Sequence, residues 1–266
     1  MRKRYLVLID FQQDFCMKNG ALSVGGAEED AERVARLIEG IGDTLYDVMA
    51  TMDSHHLLHI ANPAFWMSPQ GNHPSPFTSI TTAEVENGEW RAAIPSLQKR
   101  ALAYVKTLES NGRYTLTIWN PHCLIGSTGF TMMPNIFQAL RNWEEKNLAM
   151  VDYVSKGSNL YTEHYSAVRA DVIDPTDPTT QLNKRLIDTL EDADEVLFCG
   201  EARSHCLANT MRDIADGFSN AEYIKKMVLI EDCTSDVGGF EQLGEAFVKD
   251  MVARGMRVTT TRELLA

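Results

Sequence analysis

The chain has 266 residues, 44% hydrophobic, 23% charged and 8% aromatic, which excludes collagen-like, low-complexity and largely disordered chains. Its formal net charge of -12 repels phosphate backbones and no basic patch offsets it, so no nucleic-acid partner is expected. No apolar run approaches the ~18 residues of a membrane helix, so no membrane partner is expected either.

The apolar run 5–10 closes on a carboxylate, as a buried parallel strand would. It is too short for the ~7–15-residue core of a secretory signal behind Met1-Arg2-Lys3-Arg4, and a cytoplasmic location is expected. Gly25-Gly26 opens a helix in which Ala31, Val34, Ala35, Leu37 and Ile38 keep helical spacing. Glu28, Glu29 and Asp30 fall in its first turn, where the helix dipole favours them. Further strands are predicted at 45–52, 114–119, 149–155, 195–200, 227–231 and 256–260. Helices are predicted at 95–110, 134–145, 182–191, 205–216 and 240–253. Residues 60–94, with Pro63, Pro69, Pro74 and Pro76, show no periodicity and read as an irregular lid or binding loop. The alternation predicts one α/β domain over 1–266, built on a single doubly wound, mostly parallel sheet with helices on both faces. A lid-like insertion at about 60–112 is expected over one end of that sheet.

Five cysteines stand singly at 16, 123, 199, 206 and 233, without a Cys-x-x-Cys spacing, so neither a disulfide framework nor a zinc knuckle is indicated. In an open parallel sheet, ligands bind beyond the carboxyl ends of the strands. Asp10, Asp53 with His55, His122, Lys156 and the turn Gly200–Cys206 all fall at such ends. Singly each is ordinary: a strand-end Asp forms turns, a lysine is solvated, a cysteine is buried and inert. Their coincidence at one edge carries the reading. Cys206 opens a helical pattern after a Gly-containing turn, where positive potential is expected to lower the thiol pKa and free N–H groups suit an oxyanion. Cys199 lies within an apolar strand and reads as core; Cys16, Cys123 and Cys233 read as structural. Asp53-x-His55, with His122 as a third donor, suits a metal site with open positions. By itself Asp-x-His is also what a turn beside a surface histidine produces.

Taken together and in order, the motifs make the chain resemble the nicotinamidase (pyrazinamidase) branch of the isochorismatase-like cysteine hydrolases. They are Asp10-Phe11-Gln12-Gln13-Asp14-Phe15, Asp53-Ser54-His55 with His59, and Trp119-Asn120-Pro121-His122-Cys123 with Gly126-Ser127-Thr128-Gly129. Lys156-Gly157 with Tyr165-Ser166-Ala167 follows, then Gly200-Glu201-Ala202 leading to Cys206. Ser54, Asn120, Arg203 and His205 depart from the usual pattern, and the stretch between His59 and Trp119 is longer than in compact members.

The resemblance implies a three-layer α/β/α fold and a metal-containing cysteine amidohydrolase that converts nicotinamide to nicotinate and ammonia through a Cys206 thioester. It implies Asp10 as the acid–base group, Lys156 as its charged partner, and the Ala202 and Cys206 N–H groups as oxyanion hole, with a cis Glu201–Ala202 peptide. Asp53, His55 and His122 would hold one divalent ion, zinc in the first instance, with iron or manganese also compatible. Phe15 and Trp119 would wall a flat carboxamide substrate; His59 matches the family's metal segment but reads as a residue supporting the ligands from behind or as a local structural one. A homo-oligomer is left open. The departures keep open another small-molecule amidase, or a carbamoyl or isochorismatase-type hydrolase, on the same scaffold.

Overall fold

The computed structural model describes residues 2–266. Six strands form its central sheet: β1 Arg4–Ile9, β2 Asp47–Asp53, β3 Asp152–Lys156, β4 Glu195–Gly200, β5 Met227–Ile230 and β6 Arg257–Thr259. Every neighbouring pair is parallel, in the order β6-β5-β4-β1-β2-β3. The alternation of side chains along a strand divides its residues between two cores. Leu6 and Leu8 of β1, Val48 and Ala50 of β2, and Leu197 and Cys199 of β4 face one way. They share one continuous core with helices α1 Ala27–Ile41, α2 Gln98–Asn111 and α3 Pro134–Asn147. Tyr5, Val7, Ile9, Val196 and Phe198 face the other way, against α4 Lys184–Glu191, α5 Cys206–Gly217 and α6 Glu241–Ala253. This is the doubly wound α/β/α architecture, covered on both faces as continuous apolar strands require.

Two expectations need correction. The run 114–119 is not part of the central sheet: only Leu116–Thr117 is extended, paired antiparallel with Ser79–Ile80. Its apolar side chains are buried, with Leu116, Ile118 and Trp119 at most 3% exposed, but against the intervening segment. Periodicity alone does not distinguish the two placements. Residues 60–94 are likewise not wholly irregular. Trp66–Met67 pairs with Arg91–Ala92, and a helix at Thr82–Glu86 is closed by a capping box between Thr81 and Glu84.

Strand order reverses between β1 and β4, where successive connections leave on opposite sides and open a crevice at the strands' carboxyl ends. Asp10 follows β1 and the turn to Cys206 follows β4, so the topology itself brings these two residues together. No helix among the described residues is long and apolar enough to cross a membrane.

Candidate active site

Asp10 ends β1 with φ 48°, a left-handed conformation that Asp tolerates better than most residues. Its carboxyl is fully buried and held from two sides. Thr51, in the middle of β2, donates from Oγ1 to Asp10 Oδ1 at 2.5 Å and accepts the Asp10 N–H at 3.1 Å. Lys156, the last residue of β3, places Nζ 2.8 Å from Asp10 Oδ2, 3.1 Å from Asp53 Oδ1 and 3.5 Å from Cys206 Sγ. A buried ammonium thus joins two carboxylates and the thiol.

Burial pushes the Asp10 carboxyl above the usual carboxylate range, against the opposing pull of Lys156. Burial also disfavours the Lys156 ammonium, but Asp10 and Asp53 outweigh it and raise this lysine well above its ordinary value. Cys206 reverses the expectation drawn from its place at the start of α5. Burial pushes the thiol well up, Lys156 opposes this, and the nearby Asp10 and Asp53 add to it. The resting thiol therefore keeps its proton.

The turn after β4 supplies donors. The Glu201–Ala202 peptide is cis, and Arg203 N–H and His205 N–H bond to Ser235 O and Ala202 O. Ala202 N–H and Cys206 N–H have no acceptor among the described residues, and both residues line the cavity over the thiol. That cavity is small, with about 30 Å³ of free space, and is walled by Phe15, Leu22, Trp119, Tyr165, His205 and Val237, with Asp53, His122 and Glu163 on the polar side.

Next to it, Asp53 Oδ2 lies 3.0 Å from His55 Nε2 and 3.4 Å from His122 Nε2. His55 Nδ1 lies 3.0 Å from Gly157 O and His122 Nδ1 lies 2.7 Å from Asn120 O. Each carbonyl accepts an Nδ1–H, which leaves both Nε2 atoms facing the carboxylate, the arrangement that metal-ligating histidines adopt. One oxygen and two nitrogen donors, all buried and within 4.8 Å of one another, fit a divalent cation with open positions toward the cavity. Burial opposes protonation of His55, but Asp53 outweighs it and raises the imidazole to about 9; a cation would take over that charge pairing. His59 and Glu163 approach His55 as closely, but His59 is engaged at both nitrogens, by Thr162 O at 3.1 Å and Ala61 N–H at 3.3 Å.

The remaining motif residues build this geometry. Gln12 clamps Asp53, donating to its carbonyl at 2.7 Å and accepting its N–H at 2.7 Å, and Asp14 accepts the Cys123 N–H at 2.7 Å. Gly157 has φ 85°, and a Cβ there would lie 2.6 Å from Asp53 Oδ1 and 2.9 Å from the His55 ring. Phe15 and Trp119 do line the cavity, and Phe15 lies 5.2 Å from the His122 ring. Of the four departures from the motif pattern, only His205 does. Arg203 turns away to pair with Asp236, Ser54 Oγ donates to Met52 O and Asn120 to Ala21 O. No residue of 60–112 lines the cavity; the segment reaches it indirectly, through Phe77 edge-on to Trp119 and Ala61 O accepting the Trp119 N–H.

Thr51 and Glu163 were not legible as site residues. A threonine in an apolar strand reads as β-branched filling, and nothing marks Glu163 except its place two residues before Tyr165. A wider groove lined by Arg113, Arg169, Asp171 and Asp213 lies apart and holds no cysteine.

No protein-family model matches the chain and no curated protein matches it by sequence. Solved structures do match it. The yeast nicotinamidase Pnc1p bound to the inhibitor nicotinaldehyde shares 18% identity at a TM-score of 0.66, over 97% of this chain and 99% of that one. The Acinetobacter baumanii nicotinamidase pyrazinamidase shares 22% at 0.66, over 100% and 99%. The pyrazinamidase of Pyrococcus horikoshii in complex with zinc shares 17% at 0.56, over 97% and 99%. At these identities the likeness is one of fold, and it extends over the whole chain: the chain has the fold of the nicotinamidases and pyrazinamidases.

Proposed function

We propose that the chain is a metal-containing cysteine amidohydrolase that converts nicotinamide, or a closely related aromatic carboxamide, to the acid and ammonia. The observation that carries this reading is the approach of Lys156 Nζ to Asp10 at 2.8 Å and to Cys206 Sγ at 3.5 Å, beneath a small aromatic-walled cavity. The names of the solved neighbours, nicotinamidases and pyrazinamidases, agree with it.

Asp10 takes the Cys206 proton as Sγ attacks the carboxamide carbon. Lys156 remains charged throughout and keeps Asp10 oriented. The developing oxyanion enters the space faced by the Ala202 and Cys206 N–H groups, where each such donor typically contributes ~3–4 kcal/mol. Asp10 returns the proton to the nitrogen, the C–N bond breaks, and ammonia leaves a Cys206 thioester. Water then gives a proton to Asp10 and attacks the thioester; the C–S bond breaks, Sγ recovers the proton, and the acid departs. Asp53, His55 and His122 would hold a divalent ion, zinc being the first to test, which supplies a Lewis-acid contact for the ring nitrogen. Phe15 and Trp119 sandwich the ring, and the 60–112 segment acts by bracing Trp119.

The test is ammonia release from nicotinamide by metal-loaded wild-type protein and Cys206→Ala. Turnover that disappears in a folded variant of unchanged metal content supports the reading. Turnover that survives the substitution refutes the thiol mechanism, and none from wild type moves the substrate to another amide.

A further inference from the structure

Behind the turn that carries Ala202 and Cys206 lies a second pair of buried carboxyl groups, which the reaction above does not use. Glu201 is 0% exposed and Asp30, on α1, is 2% exposed. One serine joins them: Ser235 Oγ donates to Asp30 Oδ2 at 2.6 Å, and Ser235 N–H donates to Glu201 Oε2 at 3.3 Å. Gly26 makes room for that serine, since with φ 99° a Cβ there would lie 2.6 Å from Ser235 Oγ. Glu201 Oε1 has no hydrogen-bond partner among the described residues, although the Asp30 carboxyl is its near neighbour. Arg33 pairs with Asp30 Oδ1, which puts a positive charge beside Asp30.

The same locus is where a strap, residues 234–237, is laced to the turn. Thr234 Oγ1 donates to Gly200 O at 2.6 Å, Arg203 N–H to Ser235 O at 2.8 Å and Val237 N–H to Ser204 Oγ at 3.1 Å, while Arg203 pairs with Asp236. Glu201 thus touches turn, strap and α1 at once.

We propose that Glu201 is a positioning residue for the oxyanion turn: it shares one proton with Asp30, and that proton keeps the turn against the strap with the Ala202 and Cys206 N–H groups facing the cavity. The inference rests on the cysteine-hydrolase reading above. Losing the proton sets two negative charges against each other in a dry pocket, which neither can tolerate. The groups facing the pair are Arg33 from α1, Asp236 with Arg203 from strap and turn, and the thiols Cys16, Cys199 and Cys233; Asp232 lies beyond, bonded to Thr261. Burial keeps all three thiols protonated and, with Asp30 adding, moves Glu201 well above the usual carboxylate range.

The experiment compares wild type with Glu201→Gln, which keeps the shape and a donor toward Asp30 but does not ionise. Because only the folded state retains the proton, the wild-type unfolding constant should rise with pH relative to the variant, by up to tenfold per pH unit until the pair ionises. The backbone carbon and nitrogen resonances of Ala202 should titrate with the same midpoint in wild type and stay flat there in Glu201→Gln. The kcat for nicotinamide should fall through that midpoint with KM unchanged, a limb missing from the variant. Parallel stability profiles overturn the shared proton; divergent profiles with a flat Ala202 signal overturn the positioning role. Both of those readouts work without substrate, so a folded protein that leaves nicotinamide intact counts against the proposed function and not against the pair. Should Glu201→Gln not fold, Asp30→Asn decides, with the wild-type Ala202 midpoint expected to move to lower pH.

Discussion

Thr51→Val tests how the base is held. Valine has nearly the shape of threonine, so packing in β2 is preserved and only the hydroxyl is lost. That hydroxyl makes two bonds to one residue: it donates to Asp10 Oδ1 at 2.5 Å and accepts the Asp10 N–H at 3.1 Å. A hydrogen bond to a buried charge contributes about 1.5–3 kcal/mol, and an N–H left unpaired costs about 1–3 kcal/mol. The combined loss of unfolding free energy should therefore be about 2.5–6 kcal/mol, read by urea denaturation. The first of these bonds favours the ionised carboxyl, so its loss should raise the Asp10 pKa further beyond what burial already imposes. The acid limb of kcat/KM should shift upward by the same amount, and Thr51→Ser, which keeps the hydroxyl, should restore it. A Thr51→Val protein of wild-type stability and unshifted acid limb would refute both the geometry and the role given to Asp10.

Three further outcomes are expected. Gly157→Ala must move Asp53 and His55 aside and adopt a left-handed backbone, so zinc affinity measured by competition with a chelator should fall at least ~10-fold, with ~1–2 kcal/mol lost in stability. Alkylation of Cys206 by iodoacetamide in the resting protein should be slow at pH 8 and still rising at pH 9, because burial holds the thiol in its protonated form; a plateau near pH 7 would return the thiolate inferred from helix position. Glu195 is bonded by Arg2, Arg4 and Arg257. Burial alone would raise its pKa, but Arg257 and Arg4 hold it below the usual carboxylate range. A depressed folded-state pKa stabilises above the unfolded value and loses that contribution as pH falls through the folded one. Wild type should therefore exceed Glu195→Gln by about 1–3 kcal/mol at pH 7, the difference closing below about pH 4 in denaturation at several pH values.

The sheet was legible because its inner strands are buried on both faces. Tyr5–Ile9 and Val196–Cys199 are apolar at every position, and the helices between them keep an apolar stripe. The same signal misplaced 114–119, where Leu116 and Ile118 are buried just as deeply by a two-residue pairing outside the sheet. The capping box at Thr81 and Glu84 was open to view as Thr-x-x-Glu, yet four prolines around it masked a helix of only Thr82–Glu86. At the site, chain order and strand ends brought Asp10, Lys156 and Cys206 into one neighbourhood, and the structure gives them 2.8 and 3.5 Å spacings. What sequence could not supply was environment. The start of a helix argues for a lowered thiol pKa, whereas the depth of Cys206 and its two carboxylate neighbours decide the opposite, and depth is set by the whole fold. Gln12 belonged to a motif, but its clamp on Asp53 depends on two strands meeting in register.

The central claim is that Cys206 bonds covalently to a carboxamide carbon. It is tested most directly by quenching metal-loaded protein with acid during turnover of nicotinamide and weighing the Cys206 peptide by mass spectrometry. The account predicts that a fraction of that peptide carries a nicotinoyl group, which disappears once substrate is exhausted and never forms in Asp10→Asn. An unmodified Cys206 peptide at every time point, in protein that releases ammonia steadily, would contradict it.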